Sequence, residues 1–74
     1  MSNEIQQPMI HIRFQGQSWR FELARLNLAP AASDDQVRQA LANHFDVAVA
    51  KFAPYVVERH ANGNLTVRPE AVFG

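Results

Sequence analysis

One helix-forming segment stands between two pairs of alternating runs, and that layout restricts this chain to very few folds. From Met9 the residues alternate, with Ile10, Ile12 and Phe14 on one side of an extended segment and His11 and Arg13 on the other. Gln15-Gly16-Gln17-Ser18 is turn material, and alternation resumes with Trp19, Phe21 and Leu23 opposite Arg20 and Glu22. Two such runs joined through a glycine predict an antiparallel hairpin with one buried face.

The helix is predicted over 34–45. Ser33 supplies an N-cap oxygen, Asp34 and Asp35 complement the positive end of the helix dipole, and Gln36 completes a capping-box pattern. Val37, Ala40, Leu41 and Phe45 recur on one apolar stripe, with Arg38, Gln39 and Asn43 off it. Ala42 is small enough to let the helix sit close to a sheet. The preceding connection, Ala24 to Ala32, tucks Leu26 and Leu28 against the core, and Pro30 blocks regular pairing there. Asp46 to Ala53 reads two ways. Val47, Val49 and Phe52 are apolar, whereas the alanines and Lys51 suit a short helical turn before Pro54.

The second hairpin comprises Tyr55 to His60, a turn, and Leu65 to Arg68. A two-residue Asn62-Gly63 loop would place charged and apolar residues together on one face. A three-residue loop, Ala61-Asn62-Gly63 with Gly63 left-handed, pairs Val57 with Val67 and puts Tyr55 on their face. It collects Glu58, His60, Thr66 and Arg68 on the other. The consistent faces favour the three-residue loop. Pro69 then stops the strand. The expected organisation is an arm over 1–8, one domain over 9–68 and a tail over 69–74. The expected core holds Ile10, Ile12, Phe14, Trp19, Phe21, Leu23, Val37, Leu41, Phe45, Val57, Leu65 and Val67.

A chain of 74 residues is near the lower size limit for independent folding and buries only about 60% of its unfolded surface. It has no cysteine, so neither disulfides nor a thiolate metal site support it. Seven basic residues balance seven acidic ones, so no net field draws it toward nucleic acid or anionic membrane. Lys51 is the single lysine; the other basic residues are arginines, which suit bidentate pairing at partner surfaces. The polar start, Met1 to Pro8, has no apolar signal region, and no apolar run approaches the roughly 20 residues of a bilayer span. The expectation is a soluble, cytoplasmic protein without membrane partners.

Catalytic signals are missing. His11, His44 and His60 have no helical i, i+4 spacing and no Cys/His cluster, so no metal site or cofactor is expected. Ser33 and the Asp34-Asp35 pair are accounted for by helix capping, Ser18 sits by a turn, and the glycines stand alone at 16, 63 and 74. No enzyme is expected. Arg13, Arg20 and Arg68, with His11 and His60, fall on the polar faces of the two hairpins, forming an open, mildly basic surface balanced by Glu22 and Glu58. That surface reads as a solvated face or a protein-docking face. A nucleic-acid surface is disfavoured, because no aromatic residues interleave the arginines. Val72 and Phe73 read as cover for one end of the core or as an exposed apolar anchor for a partner groove.

The order of hairpin, connector with Leu26 and Leu28, capped helix from Ser33 and further strands resembles the ubiquitin-like β-grasp family, which includes the small sulfur carriers of thiamine and molybdopterin synthesis. The resemblance covers residues 9–68. It implies an α+β fold, ββαββ, with one amphipathic helix on a four-stranded, mostly antiparallel, β-grasp-like sheet whose first and last strands lie parallel at the centre. Leu65 to Arg68 or Glu70 to Phe73 would supply that last strand. The family acts through a tail ending in glycine, which Gly74 matches, although Phe73 stands where a second glycine is usual. Three functions are therefore expected, in descending order: a non-catalytic interaction module or accessory subunit, a modifier or sulfur carrier activated at the Gly74 carboxylate, and a nucleic-acid-binding regulator using Arg13, Arg20 and Arg68. Homodimerisation through a strand edge or the apolar tail is a further expectation.

Overall fold

The structure, a computed structural model, describes residues 7–70. In chain order it holds strand β1 (Met9–Phe14), strand β2 (Gln17–Glu22), a 3-10 turn (Leu23–Leu26), helix α1 (Asp34–Phe45), a second 3-10 turn (Val49–Phe52), strand β3 (Tyr55–Arg59) and strand β4 (Leu65–Pro69). The strands form one sheet in the order β2-β1-β4-β3. β1 pairs antiparallel with β2 and parallel with β4, and β3 pairs antiparallel with β4. The fold is thus α+β, one helix packed on a mixed four-stranded sheet.

Local chemistry explains each element. Gln15 and Gly16 both take positive φ (56° and 76°), the backbone of a tight turn whose twist matches the strands. The turn is two residues, not four. Gln17 and Ser18 belong to β2, because Phe14 already pairs with Gln17. At the helix start Ser33 accepts from the Gln36 N–H at 3.1 Å and the Gln36 side chain accepts from the Ser33 N–H at 2.8 Å, closing the capping box. Asp46 in the left-handed region (φ 58°) ends α1, a conformation aspartate tolerates better than most residues.

The second hairpin has the three-residue loop. Val57 pairs with Val67 and Glu58 with Thr66, while His60 donates to the Asn64 carbonyl and Gly63, at φ 91°, donates to that of His60. β4 runs one residue further than predicted. Pro69 lacks an N–H, yet it can end a strand, and the next donor, Glu70, bonds the Pro54 carbonyl at 3.0 Å.

The core lies between α1 and one face of the sheet. Ile10, Ile12, Leu23, Val37, Leu41, Phe52, Leu65 and Val67 are wholly or almost wholly buried. Phe52 is the inward end of the 46–54 connector, which resolves as a 3-10 turn. Its ring stacks on Phe14 at 4.7 Å and meets Tyr55 at 5.1 Å, and Phe45 lies 5.0 Å from Phe14. The helix stripe is Val37, Leu41 and Ala42, with Ala40 and Phe45 only half-buried at its flanks. Trp19 departs from the predicted core. It faces the helix side, but β2 is an edge strand beyond full cover, and 37% of the residue remains exposed. Phe21 and Val57 are partly buried for the same reason.

Candidate protein-docking face

Strand pairing decides which polar residues meet. On the sheet face away from α1, His11 lies between Arg20 and Thr66, and Thr66 is followed by Glu58. A neighbouring row brings Arg13 opposite Ser18 and Arg68 opposite Val56. His11, Arg13, Arg20 and Arg68 share this face because each sits at the polar phase of its strand, and His60, one residue past β3, joins them beside Thr66. His11, Arg13, Arg20 and His60 are exposed, while Arg68 is half-buried. A shallow, open hollow of about 770 Å³ lies over the face, bordered by His11, Arg13, Ser18, His60, Asn62 and Thr66.

The charges on this face are not equivalent. Arg68 donates through Nη2 to Glu58 Oε2 at 2.8 Å. That hydrogen bond, reinforced by the Arg68 charge and by His60, holds the Glu58 carboxyl below its ordinary range despite slight desolvation, and it raises Arg68 in turn. His60 Nε2 and Thr66 Oγ1 lie 2.8 Å apart. Arg13 and Arg20 form no ion pair among the described residues. The face therefore carries one neutralised arginine and two free ones.

Elsewhere the histidines stay apart. His44 sits edge-on to Phe21 at 4.6 Å and belongs to the aromatic rim of β2. Among the described residues no group of three His, Cys, Asp or Glu could hold a metal ion. No described helix is long and apolar enough to cross a membrane. Val72, Phe73 and Gly74 lie outside the described residues.

Two arginines carry roles that the sequence pattern did not reveal. Arg38 donates to the Phe52 carbonyl (3.2 Å) and the Tyr55 carbonyl (2.9 Å), tying the connector and the start of β3 to α1. Arg59 donates to Asp34 Oδ1 at 2.5 Å and to the Pro30 carbonyl at 3.4 Å, so it closes the N-terminal end of α1. The signal available for Arg38 was its place directly after Val37, at the border of the apolar stripe, where a long side chain can skirt the core. No family model, no curated protein and no solved structure matches this chain.

Proposed function

We propose that this chain is a non-catalytic interaction module of ubiquitin-like build, an accessory subunit that docks an acidic protein surface on its open sheet face. The observation that supports this reading most is Arg13, which forms no ion pair among the described residues. It stands beside His11 on a face that α1 leaves uncovered, next to Arg68, which Glu58 already holds. Arginine at the rim of a shallow polar hollow is suited to bidentate carboxylate pairing. With no net charge on the chain, nucleic acid is the weaker partner class. Combining Arg13→Glu with Arg68→Glu should abolish capture of the partner while the circular dichroism spectrum holds. Unchanged capture refutes the face. Steeply salt-dependent retention on single-stranded nucleic acid would replace the protein partner by a nucleic-acid one.

A second reading is favoured by the parallel β1–β4 pair at the sheet centre, the arrangement that the β-grasp resemblance implies. In this reading the chain is a modifier or sulfur carrier activated at the Gly74 carboxylate. It requires that carboxylate to be free in the cell. Intact-mass measurement from native cells should then show a thiocarboxylate, about 16 Da heavier, or conjugates to other proteins. A Gly74 deletion that preserves all activity excludes it.

A further inference from the structure

The two edges of the sheet are finished differently. The three-residue loop of the second hairpin makes His60–Asn64 a hydrogen-bonded pair, so Tyr55, Val57 and Arg59 turn their backbone groups outward from β3. That edge is guarded. The Tyr55 carbonyl accepts from Arg38, and the Arg59 side chain folds over to Pro30 and Asp34. In the first hairpin the two-residue turn makes Phe14–Gln17 a hydrogen-bonded pair, and Ile12–Trp19 and Ile10–Phe21 follow. The Leu23 N–H bonding the Pro8 carbonyl at 3.0 Å continues the same alternation. Ser18, Arg20 and Glu22 therefore turn their backbone groups outward from β2, and no described side chain reaches them. Six consecutive pairs run without a bulge, and β2 contains no proline. Among the described residues no bulge, proline or covering segment protects this edge, and its charged residues are Arg20 and Glu22, of opposite sign.

We infer that β2 pairs with β2 of a second copy of this chain, antiparallel about a two-fold axis at Phe21, to give a continuous eight-stranded sheet. The charge pattern selects both the occupant and the register. Because the outward-facing backbone belongs to residues 18, 20 and 22, only registers that match these to one another form a ladder. Centring the axis on Arg20 sets two arginines directly opposite each other. Centring it on Trp19 sets Arg20 against Ser18 and leaves Glu22 against Gly16. Centring it on Phe21 sets Arg20 of each copy opposite Glu22 of the other, giving two hydrogen-bonded, oppositely charged pairs. The two Phe21 rings then meet at a non-hydrogen-bonded site, where side chains approach most closely. Trp19, 37% exposed in the single chain, lies diagonally across from the second copy's Phe21, within reach of an aromatic side chain. One sequence supplies both halves of the charge match, as a two-fold interface requires.

The chain contains no cysteine, so a single introduced thiol reads the register directly. Phe21→Cys places two thiols across a non-hydrogen-bonded pair, about 4.5 Å apart at Cα, within disulfide reach. It should cross-link to a covalent dimer under mild oxidant. Ser18→Cys should not, because in this register the two Ser18 positions lie six residues apart along the ladder, about 20 Å. By sedimentation the parent chain should dimerise. Arg20→Glu or Glu22→Arg should each weaken the dimer about tenfold or more, and the double swap should restore it. The Arg13→Glu/Arg68→Glu variant should dimerise like the parent, so loss of partner capture and loss of the dimer are told apart. A parent chain that stays monomeric at its highest soluble concentration overturns the inference. So does cross-linking at Ser18→Cys as ready as at Phe21→Cys, or a dimer indifferent to Arg20→Glu. If Phe21→Cys perturbs folding, the exposed swaps at Arg20 and Glu22 decide the matter alone.

Discussion

β2 and β3 close the two sides of the same sheet, yet they are held in place by different forces. β3 is stitched by polar bonds: Arg38 reaches its first carbonyl, Arg59 bridges it to the start of α1, and Glu58 pairs with Arg68 on β4. β2 is held on its helix side by aromatic contact alone. Trp19 lies edge-on to Phe45 at 5.3 Å and stacks with Phe21 at 6.3 Å. Directional bonds fix the β3 edge and occupy one of its outward groups, the Tyr55 carbonyl. Aromatic contact fixes β2 from one side only and leaves its ladder free. In a domain this small, a helix of 12 residues cannot cover four strands evenly, and the strand left over becomes the surface available to a partner.

The largest break in this comparison is Phe52→Ala. Phe52 is fully buried and touches Phe14, Phe45 and Tyr55, so it joins the β3 side to the rest of the core. Its truncation should cost about 3–5 kcal/mol, enough to leave a marginal domain largely unfolded. Urea titration followed by circular dichroism measures this. Arg38→Met probes the same side. It keeps much of the aliphatic stem but leaves the Phe52 and Tyr55 carbonyls without their donor, at a cost of about 1–3 kcal/mol. The loss should appear as faster amide exchange confined to the connector and β3.

Trp19→Ala tests the other edge. A side chain already more than one-third exposed contributes less to folding than a fully buried ring, so the monomer should lose about 2–3 kcal/mol, less than for Phe52→Ala. The same change should weaken the dimer, because it removes the ring that lies diagonal to the second copy's Phe21. Trp19 is the chain's one tryptophan, so its emission should shift to the blue as concentration rises and the dimer forms. A folding loss as large as that of Phe52→Ala with no change in association would invert the assignment of the two edges.

Much of this is legible in the sequence. Period-two alternation placed His11, Arg13, Arg20 and Arg68 on one face, and the capping residues around Ser33 set the helix start. The clash of charged and apolar residues in the alternative loop selected the Val57–Val67 register. These are local signals, each confined to one element or one turn. What was not legible depends on contacts between elements distant in sequence. Trp19 has the right phase for the core, and only the sheet order shows that its strand is an edge. Arg38 and Arg59 look like solvated helix and strand charges until the connector folds beneath one and Pro30 approaches the other. The connector itself was ambiguous because its alanines fit a turn and its valines a strand. The burial of Phe52 decides for the turn, which alone brings that ring beneath Phe14.

The smallest expected effect concerns the ion pair that belongs to β3 and has no counterpart on β2. Arg68 holds the Glu58 carboxyl below its ordinary range, so folding and ionisation of Glu58 are linked. A carboxyl whose folded pKa is depressed contributes stability that is fully present above its unfolded value, near 4.5, and is lost as pH falls through the lower folded value. Because both partners are about 40% exposed, screening keeps the contribution slight. Glu58→Gln should therefore leave stability at neutral pH almost unchanged and flatten the acid limb of the melting-temperature profile below about pH 4.5. High salt should shrink the difference from the parent. Arg13, which faces Ser18 rather than a carboxylate, should leave the acid limb unchanged when replaced by Gln. Equal acid-limb effects at the two positions would show that the open face is electrostatically uniform, and that the free arginines differ from Arg68 in exposure alone.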